Sequence, residues 1–135
     1  MSLMEWDDKL SVGLETADNH HKKLVSMVNS LHDAMLKGEA NDVLAKILHA
    51  LIVYTEKHFQ YEEGLFKANN YPDYEAHKRE HDELTAQVKA LNDELVSGRT
   101  SLSIEVMTFL KNWLADHIQG SDKKAGEYLN QKGIH

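Results

Sequence analysis

Apolar residues recur every three to four positions along most of the chain, the period of an α-helix packed on one face. Four segments carry it. The first is expected from about Asn19 to Lys37, with Leu24, Val28, Leu31 and Met35 on its stripe. The second is expected from about Asp42 to Lys67, with Val43, Ile47, Leu51, Tyr54 and Leu65. The third spans about Asp73 to Val96 and carries Leu84, Val88, Leu91 and Leu95. The fourth spans about Ser101 to Gln119 and carries Val106, Phe109, Leu110 and Trp113. Gly38, the run Asn69-Asn70-Tyr71-Pro72, Ser97-Gly98 and Gly120-Ser121 punctuate them.

Short connections between long amphipathic helices make sequence neighbours antiparallel. The expected fold is all-α, an antiparallel up-down-up-down four-helix bundle. Residues 1–17 lack a period and read as an N-terminal arm, packed through Trp6, Val12 and Leu14. Residues 18–122 form the bundle and 123–135 a short helical tail, within one domain.

The stripes contain polar residues where apolar ones belong. In the third helix the seam reads Tyr74, His77, His81, Leu84, Val88, which puts both histidines in the core-facing row. The second stripe passes from Leu51 through Tyr54 or Thr55 to His58 and Glu62. His21 precedes Leu24 on the first face, and His117 follows Trp113 on the fourth. Every helix thus offers a histidine to the interior. Residues four apart on a helix differ by about 40° in azimuth, so His58/Glu62 and His77/His81 can each aim at one point. His117 and Asp122 are five apart, and a break at Gly120-Ser121 would turn Asp122 back toward the core. Burying such groups unpaired is costly, and metal coordination removes the cost.

Composition narrows the chemistry. The chain has nine histidines and no cysteine among its 135 residues, so any metal is held by nitrogen and oxygen. Disulfides and cysteine nucleophiles are excluded. A net charge of -7 argues against nucleic acid or an anionic membrane as partner. No apolar run would insert in a bilayer and no signal peptide is evident, so a cytoplasmic protein is expected. His32, His49 and His135 fall outside the inward set and read as surface or tail residues. His20 points about 100° away from its neighbour His21, and the register with Leu24 and Val28 favours His21 as the inward one.

In these motifs the chain resembles the hemerythrin family. They are Asp18-Asn19-His20-His21-Lys22-Lys23-Leu24, His58-Phe59-Gln60-Tyr61-Glu62-Glu63, His77-Lys78-Arg79-Glu80-His81 and His117-Ile118-Gln119-Gly120-Ser121-Asp122. The Trp6 arm is typical of bacterial members. The resemblance implies that His77, His81 and His117 bind one iron and His21 and His58 the other. Glu62 and Asp122 would bridge the two irons together with an oxo or hydroxo group. Glu63 and Glu80, beside ligands, are expected to face solvent. One departure is Ala125, where family members often place a tyrosine or another large residue shortly after the bridging aspartate; Tyr128 comes later.

The implied function is reversible O2 binding for carriage, storage or delivery, without a catalytic residue, although a secondary peroxidase-like activity is compatible with it. Three histidines complete one iron's coordination, and two leave the other a position open to O2. Leu24, Phe59, Trp113 and Ile118 are candidates for a dry pocket around that position; ordinary core packing is the competing reading for each. A monomer is expected. The same site could instead sense O2 or nitric oxide, reduce peroxide or store iron. A ferritin-like oxidase would need Glu-x-x-His motifs, and the chain contains none. His77-Lys78-Arg79-Glu80-His81 also fits the H-x-x-E-H pattern of zinc peptidases, but that reading leaves the other inward residues unexplained.

Overall fold

The computed structural model describes residues 3–135; residues 1 and 2 of the expected arm lie outside them. All regular structure among the described residues is helical. A 3-10 turn at Asp8–Leu10 precedes α1 (Glu15–Leu36), α2 (Asn41–Ala68), α3 (Tyr74–Val96) and α4 (Ile104–His117). A π-helical turn, Ile118–Asp122, then leads into α5 (Lys123–Gln131). α2 packs between α1 and α3, and α4 closes the four-helix bundle against α1. No helix among the described residues is long and apolar enough to cross a membrane.

Three helix ends differ from expectation for identifiable reasons. α1 begins at Glu15, earlier than Asn19, because Asp18 lies inside its first turn and does not cap it. The Asp18 carboxylate instead accepts from Ser11 Oγ at 2.6 Å and from Val12 N–H at 2.8 Å, tying the arm to the helix. α4 begins later than Ser101, because the cap is Ser103, whose hydroxyl accepts from Val106 N–H at 3.2 Å. At the far end of α4 the expected break at Gly120-Ser121 does not occur: the helix widens into the π turn and continues.

The stripes also shift. In α2 the buried line is Leu44, Leu48, Leu51, Ile52, Thr55, His58, Phe59, Glu62 and Phe66, whereas Val43 is exposed and Tyr54 and Leu65 are half-buried. A helix flanked on two sides buries a wider sector, which recentres its stripe. In α4 the core is reached by Met107, Leu110 and Leu114; Val106 and Trp113 are half-buried and Phe109 is 43% exposed. That apolar face is broader than the contact it makes. In α3, Leu84, Val88 and Leu95 are buried and Leu91 is half-buried.

The arm packs along α1 and onto α5. Leu10, Val12 and Leu14 are buried, and Met4 exchanges two hydrogen bonds with the Asn29 side chain, at 3.0 and 2.8 Å. Trp6 is half-buried, with the Lys22 ammonium 5.4 Å from its ring centroid. Ala125 is fully buried, and Tyr128 one turn later supplies the bulk, its hydroxyl donating to Asn69 O at 2.8 Å. Its ring meets Tyr71 at 5.2 Å. Asn70, at φ 56°, adopts the left-handed conformation that terminates α2.

Gly126 lies so close to the arm that a Cβ there would run into the Val12 carbonyl oxygen, whereas a Cβ at Gly64, inside α2, would meet open space. Gly126→Ala is expected to destabilise the protein by about 1–3 kcal/mol through overpacking. Gly64→Ala is expected to stabilise it by about 0.5–1 kcal/mol. Urea denaturation of both variants checks the pair.

Candidate metal centre

Each helix of the bundle sends polar side chains to one buried point. His21 comes from α1, His58 and Glu62 from α2, His77 and His81 from α3, and His117 from the last residue of α4. All six, with Asp122, are at most 4% exposed. The π turn explains how Asp122 joins them. In a continuous α-helix, residues five apart diverge by about 140°. A π turn bonds residues five apart and brings them back onto one side. The widened turn, and not a break, aligns His117 with Asp122.

The donor atoms form two groups that share Glu62 and Asp122. One holds His77, His81 and His117 with these carboxylates; the other holds His21 and His58 with the same two. In the first, His81 Nε2 lies 3.0 Å from His117 Nε2, and Asp122 Oδ1 lies 2.8 Å from His77 Nε2 and 3.1 Å from His117 Nε2. Glu62 Oε1 is 3.4 Å from His81 Nε2. In the second, His21 and His58 approach at 3.0 Å through their Nε2 atoms. Asp122 Oδ2 is 3.1 Å from His21 and Glu62 Oε1 is 3.3 Å from His58. Donors at right angles around an ion at about 2.1 Å are themselves about 3.0 Å apart, so these spacings suit a shared cation.

The outward ring nitrogens decide what the inward ones can do. His81 Nδ1 donates to Glu63 Oε2 at 2.8 Å, and His117 Nδ1 donates to Glu80 Oε1 at 3.3 Å. Ser121 Oγ donates to both oxygens of Glu80, at 2.9 and 2.7 Å. Glu63 and Glu80 therefore do not simply face solvent as expected: both are half-buried partners of inward histidines. His20, half-buried, lies 2.9 Å from His58 Nδ1 through its own Nδ1. A neutral imidazole whose Nδ1 carries the proton presents a lone pair at Nε2. With both rings neutral, lone pairs at His81 and His117 would be aimed at each other across 3.0 Å in a dry core. Despite these short approaches, His77 Nε2, Glu62 Oε1 and both Asp122 oxygens make no well-directed hydrogen bond and are buried. This donor set fits metal ions and is otherwise poorly satisfied.

Without cations, protons must compensate the carboxylates. Burial alone would lower the pKa of His21, but Asp122 and Glu62 outweigh it and raise the value to about 9. At His117, burial is likewise outweighed by Asp122, Glu80 and Glu62, which raise it to about 10. Burial and Asp122 push Glu62 upward, yet His58 and His21 hold it below its ordinary range; Asp122 is held well below its own by His117, His21 and His77, against burial. The bond from His117 lowers Glu80 to about 2, with burial opposing and Ser121 assisting.

Toward the bundle interior, an apolar cavity of about 40 Å³ adjoins the site. Of the four pocket candidates, Leu24, Phe59 and Trp113 line it; Ile118 is fully buried but is not among its lining residues. Phe59 stacks on the His81 ring at 3.7 Å and Trp113 on His117 at 4.5 Å, so the cavity wall and the histidines are in contact. His49 and His135 are exposed, whereas His32 is half-buried with an unpartnered Nδ1, a departure from the expected surface position.

Sequence reasoning missed the outer partners Glu63, Glu80, His20 and Ser121. A usable signal existed: each of these four is adjacent in sequence to an inward residue, and each inward imidazole has a second nitrogen to satisfy.

A four-helix bundle that gathers histidines and carboxylates around one buried point defines a metal-binding protein. The Hemerythrin HHE cation binding domain matches residues 12–129. A bacteriohemerythrin of Methylococcus capsulatus is 34% identical over 131 residues, covering 96% of this chain and 99% of the relative. A hemerythrin-like protein of Naegleria gruberi is 34% identical over 123 residues, 91% of each chain. The crystal structure of a wild-type hemerythrin superimposes with a TM-score of 0.89 at 34% identity, covering 93% of this chain and 97% of the other. The chain belongs to the hemerythrin family.

The raised pKa values fix a sign. The stability that protonated His21 and His117 contribute to the metal-free protein is fully present below about 6.5, the ordinary histidine value. It is lost as pH rises through about 9 and about 10. Chelator-treated protein is therefore expected to unfold at lower urea concentration at pH 10 than at pH 7. Metal loading at pH 7 is expected to release protons, read by a pH indicator in weak buffer.

Proposed function

We propose that this chain holds two iron ions and binds O2 reversibly. His77, His81 and His117 would hold one iron and His21 and His58 the other, with the Glu62 and Asp122 carboxylates shared between the two groups. The observation that carries the reading is the asymmetry of the donor set: three imidazoles on one side of the shared carboxylates and two on the other. Bound there, iron would supply the redox chemistry that O2 binding requires.

The residues around the site support binding without turnover. The cavity lining has no carboxyl, imidazole or amine group. Its one hydroxyl, Thr55, donates to Leu51 O at 2.7 Å within its own helix. Apolar cavities of this kind stay dry and accept small apolar guests. A guest there would meet no acidic group able to protonate it, which favours release unchanged. Phe59 and Trp113 cover the faces of His81 and His117 and keep water from them. Names of relatives support the same reading, since bacteriohemerythrin is the description of several.

Reduced, iron-loaded protein is expected to be nearly colourless, to gain charge-transfer absorption when O2 is admitted, and to lose it when O2 is swept out. Irreversible conversion to the oxidised form on the first exposure, without that reversible absorption, would contradict carriage. His77→Ala is expected to lose most bound iron and lower the melting temperature, while His49→Ala, at an exposed site, changes neither. Equal effects in iron analysis and thermal melts would contradict the ligand assignment.

A further inference from the structure

Behind the two halves of the donor set stand different second partners. His81 is backed by the Glu63 carboxylate at 2.8 Å and His117 by the Glu80 carboxylate, itself held by Ser121. On the other half, the ring behind His58 is another imidazole, His20, at 2.9 Å. His21 Nδ1 is buried with no hydrogen-bond partner at all. We propose that His20 is the positioning residue for His58, and that the lack of any carboxylate behind His21 and His58 makes theirs the more readily emptied of the two metal positions. The proposal rests on the two-iron reading above.

The bonding is determined once His58 turns Nε2 to a metal. Its Nδ1 must then carry the hydrogen and donate it, and His20 Nδ1 must accept, leaving the His20 hydrogen on Nε2. His20 is placed for this by its neighbours. Its ring meets Tyr61 edge-on at 5.0 Å and Tyr54 at 6.1 Å, so it is walled on two sides. A carboxylate acceptor draws the Nδ1 proton outward and makes the imidazole a stronger ligand; an uncharged acceptor orients the ring but adds little donor strength. One half thus has two carboxylates behind its histidines and the other has none. The smaller number of imidazoles on the His21/His58 side acts in the same direction, and variants at His20 separate the two causes.

The test is iron release. Protein loaded anaerobically with ferrous iron is assayed for metal content, then mixed with excess of a colour-forming ferrous chelator. The full chain is expected to hold two irons and release them in two phases of equal amplitude. His20→Glu is expected to slow the fast phase by about tenfold or more, the usual scale of outer-partner effects on metal affinity, and to leave the slow phase alone. His20→Ala speeds the fast phase, and His20→Gln, which keeps an acceptor, restores it toward the parent. Glu63→Gln speeds the slow phase only. Far-UV circular dichroism shows that each variant is folded, and the Glu and Gln variants suffice if the Ala variant is not. Release of both irons in one phase, or fast-phase rates indifferent to His20, would overturn the proposal while leaving the two-iron reading intact. Uptake of fewer than two irons by the parent protein would overturn both.

Discussion

The structure is organised around one electrostatic requirement: buried lone pairs and carboxylates that face each other must share positive charge. Five histidines and two carboxylates occupy a space from which water is excluded. Removing even one ion from water costs several kcal/mol unless its charge is matched and its remaining atoms are bonded. Protons on His21 and His117 meet part of that requirement in the metal-free chain, yet Glu62, His77 and Asp122 keep unpartnered atoms. Cations at the same point meet it more completely. Much of the remaining architecture serves to keep that point dry and in register. The arm buries Leu10, Val12 and Leu14 against the bundle, and the Tyr128 hydroxyl ties α5 to Asn69 and Asn70. The π turn places the seventh side chain.

Around this point lies a second layer, and its members are less uniform than the first. Glu63 and Glu80 hold the outer nitrogens of His81 and His117, whereas His20 holds that of His58. Inward and outward roles alternate along the chain at adjacent positions: His20 beside His21, Glu62 beside Glu63, Glu80 beside His81. Neighbouring residues on a helix point about 100° apart, so one can reach the interior while the next lies across a helix–helix seam. That geometry lets a short motif supply both a donor and the group that orients a donor on another helix.

Much of this was legible in the sequence. The helical period and its punctuation located the four helices, and family membership and bundle architecture agree with the resemblance read from the four motifs. Six inward polar residues stood out because they interrupt apolar stripes, Asp122 followed from its spacing to His117, and all seven converge. What the period could not give was its own phase where a helix is flanked on two sides: in α2 the core takes Thr55 and Phe66 over Tyr54 and Leu65. Nor could it distinguish a break from a widened turn at Gly120-Ser121, since both bring Asp122 inward. Glu63 and Glu80 were misread as solvent-facing because carboxylates usually are; their role depends on the second nitrogen of histidines on other helices, which no local pattern records. Asp18 resembled a helix cap and proved to be an anchor for the arm.

The apolar cavity and the donor set meet at Phe59 and Trp113, so a small guest in the cavity lies against the two rings that stack on His81 and His117, and away from acidic groups. That arrangement ties the proposed O2 chemistry to the placement of the metal. The most direct test is therefore crystallographic: an anomalous difference map recorded above the iron edge from crystals of the iron-loaded protein. The account predicts two peaks, one enclosed by His77, His81 and His117 and one by His21 and His58, both touching Glu62 and Asp122. A single peak, or peaks bound away from these side chains, would contradict it.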